Sequence, residues 1–377
     1  SASDGDVLTF SSASGNITLQ AAGGGGASSL NSLSDVLIDT ASEYVGTVPA
    51  GLSGNPQRNT TLGISAGLDL TTGTQNTLIG NLAGENITVQ FGNTALGYKA
   101  GSTQNAESFN TYIGNEAGRD HVGSQSVFVG SATRVFSAGQ NSNGVTAVGY
   151  GAGDSKVGNF STAIGYSAGT EASGQESVYV GREAGKVNLS TGHLSIGYQS
   201  GYSNTSGSEN TNIGYKAGYT NTTSGSNTKV GYEAAYYNTG QQTAAFGYRA
   251  LYGSSGASSG SYNTAMGREA GVAVTSGSQN TLLGASAGKA ITTGANNTVI
   301  GSFAAFNSLI DGDNNIVIGK EAAPSATGVD NEITLGNASI TALRIPGLQS
   351  GASDGDVLTF ASGTGLITLQ AAGGGGS

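Results

Sequence analysis

The sequence predicts an all-β protein: a parallel β-solenoid (β-roll) of about 17 short coils, with small β connector modules at both ends. Three observations predict it. One phrase, clearest at Asn76-Thr-Leu-Ile-Gly-Asn-Leu-Ala-Gly84, recurs from about Thr60 to Leu335. Its marker glycine falls at 63, 80, 97, 114, 130, 149, 165, 181, 197, 214, 231, 247, 267, 284, 301, 319 and 336, in steps mostly of 16 or 17. The residue before that glycine is always apolar. The stretches between are polar, rich in turn formers, and absorb every length change, as in residues 254–261, the way insertions map to loops on one face of a solenoid.

With the marker glycine at position zero, positions −3 to −1 read as part of a strand of about four residues. Positions −3 and −1 share a parity and face one side. They are expected to face inward, with Ile79, Leu96, Ile113, Ile164, Ile196, Ile213, Ile300 and Ile318 as the structural core ladder. Position −2 varies freely (Leu78, Ala95, Tyr112, Asn212, Lys229), as a face turned to solvent or a partner would. The glycine supplies a bend, and Ala at +3 with Gly at +4 marks a second tight place. A coil this small cannot bury its own core and must stack on its neighbours. Its poor surface-to-volume ratio leads us to expect several chains sharing a core, as an intertwined or side-by-side homotrimer. At ~4.8 Å per coil the rod section would be about 80 Å long.

The chain divides into an N-terminal connector module with a glycine run (1–26), a connector (27–58), the solenoid (59–345) and a C-terminal copy of the module (346–377). Residues 3–26 return almost letter for letter at 353–376, and each copy reads as two short strands, the first as Val7–Phe10 and Ile17–Gln20. The duplication suggests one period of a longer polypeptide built of units of about 350 residues. A first residue of Ser and a lone Met266 fit a processed product or a segment. Residues 27–58 are expected to hold no marker glycine. Leu30, Leu33, Val36 and Leu37 have helix-compatible spacing, but the segment is short and Ser-rich, so a strand-and-loop connector fits at least as well, ending near Pro49 and Pro56.

Composition excludes several classes. Glycine supplies 65 residues and only 10% are charged, yet the 36% hydrophobic residues sit in fixed phase, which a disordered chain has no reason to keep. A net charge of −10 with no Lys/Arg cluster speaks against nucleic acid. No apolar run approaches a membrane span, so no membrane insertion is expected. Without cysteine, neither disulfides nor thiolate metal sites can form.

The Asn-Thr-x-Ile-Gly phrase resembles the head repeats of YadA-type trimeric autotransporter adhesins, which form a left-handed parallel β-roll trimer. It is more similar still to repeats of bacteriophage tail fibres, in the form carried by Thr162-Ala-Ile-Gly-Tyr-Ser-Ala-Gly169 and Thr211-Asn-Ile-Gly-Tyr-Lys-Ala-Gly218. The resemblance covers roughly 59–340. Residues 331–345 are similar to the segment that precedes a self-cleaving chaperone domain in many phage fibres. No such domain follows Ile345, no outer-membrane anchor is visible, and the period exceeds that of the adhesin heads. The resemblance implies a structural fibre protein, the shaft or receptor-proximal part of a phage tail fibre mediating host attachment. The alternative is a bacterial cell-surface adhesin or extracellular matrix filament. The expected location is a virion or a cell surface. The expected partners are further copies of the chain and a cell-surface glycan or protein receptor.

No catalytic, cofactor or metal residue is expected, and the protein is not expected to be an enzyme. Tyr follows the marker glycine at Tyr98, Tyr150, Tyr166, Tyr198, Tyr215, Tyr232 and Tyr248. These rings either stack along the rod or present a surface for a glycan or protein. Asn recurs at −4 (59, 76, 93, 110, 210, 227, 263, 280, 297, 315) and reads as a hydrogen-bonded ladder. His121 and His193 lie apart from any acidic pair and suggest neither a triad nor a zinc site. Asp311-Gly-Asp-Asn-Asn315 lacks the Glu and spacing of a calcium loop and reads as a turn. Asp4, Asp6, Asp354 and Asp356 fit turn chemistry as well as a cation site. A depolymerase is disfavoured by scattered carboxylates and the absence of Trp. An ice-binding solenoid is disfavoured because Thr at −3 shares the parity expected to face inward.

Overall fold

A three-residue parallel strand is the unit of the architecture. Thr77–Ile79, Thr94–Leu96 and Thr111–Ile113 pair in one register, so that −3, −2 and −1 each stack on their own kind in the next coil. The computed structural model describes residues 7–10, 17–20, 36–38, 42–53, 56–102, 107–133, 142–155, 157–256, 258–344, 357–361 and 366–370. Over these the chain is all-β, with one parallel sheet of 18 strands wound into a β-solenoid of about 16 turns and no helix. Strands are mostly one residue shorter than expected.

The solenoid also starts earlier than the repeated phrase suggests. Glu43–Gly46 pairs in parallel with Thr60–Gly63 and sets Gly46 opposite Gly63. Gly46 has the positive φ of the marker position (113°). A marker glycine therefore does lie in the 27–58 connector, hidden because the words around it differ. Val36–Ile38 pairs antiparallel with Glu43–Gly46 at that end of the sheet. The end modules form the two hairpins read from their text, Val7–Phe10 with Ile17–Gln20 and Val357–Ala361 with Leu366–Gln370. Leu30, Leu33, Asp4, Asp6, Asp354 and Asp356 lie outside the described residues.

The inward parity is the reverse of the expectation. In Thr94–Leu96 the middle residue is buried while its neighbours are not, and the pattern holds through Ile316–Ile318. Position −2 therefore fills the single chain's interior, with Leu78, Tyr112, Phe128, Tyr179 and Leu282 fully buried. The ladder assigned to the core runs along the outside: Leu96, Ile113, Ile164, Ile196 and Ile318 are at least 36% exposed, and Ile79, Ile213 and Ile300 are half-buried. The physical reason is the thinness of the coil. A large side chain at −2 fills the narrow interior and is accommodated by the glycines at +4 and by the side chains of the coils beside it. Tyr112, for example, lies against Gly101 and Gly118, where any Cβ would strike its ring. Variation at −2 is the mark of close packing, not of solvent.

The marker glycine is required twice over. At Gly97 φ is 138°, a region closed to side chains, and a Cβ there would collide with the carbonyl of Gly114 in the next coil. Hydrogen bonds then run coil to coil, as from Gly97 N to the Ile79 carbonyl (2.8 Å) and from Gly84 N to the Ala100 carbonyl (2.8 Å). The asparagine ladder forms as read. Asn76 N donates to Asn59 Oδ1 (3.0 Å), Asn93 N to Asn76 Oδ1 (3.0 Å) and Asn110 N to Asn93 Oδ1 (2.9 Å). Where Ser replaces Asn the ladder continues, Ser126 N donating to Asn110 Oδ1 (2.9 Å). Each rung satisfies a buried backbone N–H that the short strand leaves over.

The apolar interior is not continuous. One cluster extends from Tyr44 to Ala184 and a second from Ala234 to Ala322. Between them, Ser195, Asn212 and Lys229 occupy successive −2 positions, all buried.

Candidate functional site

Two outer faces carry the features that can meet a partner. The first is the sheet's own outer face. Position −3 there is mostly Thr, otherwise an apolar residue, and −1 is always apolar, so no charge interrupts it from Thr60 to Leu335. Nothing within one chain requires an apolar residue at −1, since these side chains lie outside the interior.

The second face follows the marker glycine. Position +1 brings the predicted tyrosines into stacks: Tyr150 on Tyr166 (5.5 Å), Tyr198 on Tyr215 (5.2 Å), Tyr215 on Tyr232 (4.8 Å) and Tyr232 on Tyr248 (5.4 Å). Tyr98 has no tyrosine at +1 in the coils beside it. The sequence reading missed a second file at +5, where Tyr202, Tyr219, Tyr236 and Tyr252 stack at 5.0 to 5.5 Å. Counting five from each glycine would have found it. Each interior ring has its faces covered by its neighbours, so the files present ring edges and hydroxyls rather than open faces.

Cations lie between the files. The Lys216 ammonium sits 5.5, 5.2 and 5.9 Å from the ring centres of Tyr215, Tyr219 and Tyr236. The Arg249 guanidinium lies over Tyr248 and Tyr252 and pairs with Glu233 (2.7 Å), whereas no carboxylate lies within ion-pair distance of Lys216 among the described residues.

The histidines are interior groups. The neutral ring of His121 donates from Nε2 to the Ser142 carbonyl (2.7 Å) and accepts at Nδ1 from the Tyr112 hydroxyl (2.9 Å). His193 is a rung of the −4 ladder, its N–H donating to Ser177 Oγ (3.1 Å). Burial holds both rings at a pKa of about 4. Lys229, read from sequence as outward, is fully buried. Its ammonium reaches the Asn238 carbonyl (3.3 Å), and burial pulls its pKa down to about 7.

Asp313 is engaged in turn contacts, its Oδ1 accepting from Ala295 N (2.7 Å). Among the described residues no group of three His, Cys, Asp or Glu side chains could hold a metal ion. No helix there is long and apolar enough to cross a membrane. A cleft of about 370 Å³ lies beside the loop 254–261, lined by Thr220, Tyr237, Thr239, Ser255, Ser258 and Ser259 with Gly256. A second, of about 480 Å³, lies by Phe303 and Phe306. No family model matches the chain, and no curated protein matches it.

Proposed function

We propose that the chain is a structural fibre protein, the shaft or receptor-proximal segment of a phage tail fibre that mediates host attachment, working as a self-associated homotrimer. The observation that carries the reading is the uncharged Thr-and-aliphatic face running the length of the sheet. Monomeric proteins rarely expose a contiguous apolar patch beyond about 300–600 Å². A second and third copy of the same regular ladder would cover it rung for rung. The resemblance of the repeats to tail fibres and trimeric adhesins points the same way.

Native mass tests the assembly, by mass photometry before and after boiling in detergent. The expected result is one discrete trimer, dissociated in Ile113→Lys with its β circular dichroism retained, because that residue lies outside the single-chain interior. A monomeric native protein would overturn the reading.

One observation favours a second reading. Thr at −3 faces outward, as in Thr77–Ile79 and Thr281–Leu283, which removes the parity objection to an ice-binding face, while −1 beside it is apolar where a Thr-x-Thr array would carry a second Thr. A monomer with measurable thermal hysteresis would support that reading, and a trimer without it the fibre.

A further inference from the structure

The longest step between marker glycines runs from Gly247 to Gly267 and contains the loop 254–261. Two of its residues, Ser254 and Ser258, are tied together. Ser258 Oγ accepts from Ser254 N (2.7 Å) and donates to the Ser254 carbonyl (3.1 Å). Under it, the Thr220 and Thr239 hydroxyls donate to the carbonyls of Tyr236 and Ser258 (2.7 and 2.8 Å). With those protons committed, both oxygens offer lone pairs to the cleft they line.

Tyr237 also lines this cleft and breaks the order of the tyrosine files. Its ring stands across them, at 70° to Tyr236 (4.6 Å) and 84° to Tyr252 (5.3 Å). Tyr236 in turn lies beneath Lys216. A ring, a set of hydroxyl acceptors and, across Tyr236, a cation with no carboxylate partner among the described residues thus lie side by side on the surface.

We propose that this cleft and the adjoining tyrosines bind an acidic oligosaccharide. Sugar hydroxyls donate to the Thr220 and Thr239 oxygens, the apolar side of one sugar ring rests against Tyr237, and a carboxylate is drawn to Lys216. A neutral glycan would leave the cation unused. A polyanion without hydroxyls would leave the cleft unused. The site lies on the loop side of the coil, away from the Thr-and-aliphatic face, so it goes beyond the fibre reading and does not depend on it.

The full chain would be screened on an array of oligosaccharides bearing uronic or sialic acid alongside their neutral counterparts. The strongest carboxylated ligand and its methyl ester would then be titrated calorimetrically. We expect retention of acidic members, binding at least about tenfold weaker for the ester, and a similar loss in Lys216→Gln. Tyr237→Ala should abolish binding, and Lys289→Gln, further along the rod, should leave it unchanged. Lys216 is a surface residue, so Lys216→Gln keeps the test valid should Tyr237→Ala fail to fold. Retention of no acidic sugar, equal binding of acid and ester, or full binding by Lys216→Gln would overturn the proposal. Native mass followed in the same samples separates loss of sugar binding from loss of the oligomer.

Discussion

Between Tyr44 and Ala184, and again between Ala234 and Ala322, the interior is filled by aliphatic and aromatic side chains set among alanines. In the belt between them the same strand position holds Ser195, Asn212 and Lys229. The backbone is unchanged across the boundary, since register, marker glycines and the hydrogen bonds between coils all continue. What changes is where the cohesion between coils resides. The belt has polar side chains inside, and the amide oxygen of Asn212 makes no hydrogen bond within the chain. Outside, these same coils carry both tyrosine files. In a solenoid, stability is close to a sum over neighbouring coils. A coil weak inside can therefore hold its place through contacts outside, and the belt is where the rod should open first.

The largest effect expected is in the apolar stretches. Leu282→Ala removes a fully buried side chain and should cost about 2–5 kcal/mol. Ser195→Ala, at the same position in the belt, should cost under about 1 kcal/mol. Denaturant unfolding with hydrogen exchange resolved by coil would measure both, and equal costs would erase the distinction between the regions.

Acid should act on both regions through their histidines. The folded pKa of His121 is about 4 against an ordinary 6.5, so the folded state resists a proton that the unfolded chain accepts. The stability is present above about pH 6.5 and lost as pH falls toward 4, by roughly 3 kcal/mol for His121 alone. Thermal unfolding at pH 7 and pH 4 should show the loss, and His121→Gln should reduce it.

Lys229 makes the belt sensitive with the same sign but in a more alkaline window. Between about pH 7 and 10.5 the unfolded chain binds a proton that the folded chain does not, so stability should rise with pH across that window. Lys229→Met should flatten the rise and stabilise the protein at pH 7 by roughly 1–3 kcal/mol. A destabilised Lys229→Met protein would mean that the buried amine contributes more through Asn238 than burial costs it.

The smallest effect is outside. Tyr232→Ser removes a rung stacked on both sides and should cost about 1 kcal/mol, confined to the belt. Tyr98→Ser, which breaks no tyrosine stack, should fall within about 0.5 kcal/mol. If the two are equal, stacking along the files contributes nothing to holding the belt.

The sequence by itself determined the solenoid, the position of nearly every coil, the asparagine ladder and the terminal hairpins. Each of these repeats at a fixed phase, and phase survives in a linear text. Gly46 escaped because its coil keeps the geometry of the repeat without its words. Only the tertiary structure decided which side of the strand faces in. Parity groups −3 with −1 but is silent on which group is buried, and the constant Ile of the phrase invited the wrong choice. Side chains inside so thin a rod range from alanine to tyrosine, as the space left by the small residues around them allows, whereas an outer face can repeat without limit. The meeting of Lys216, Tyr237 and the loop 254–261 was likewise illegible, because these residues lie on three successive coils. Only stacking the coils brings them to one place.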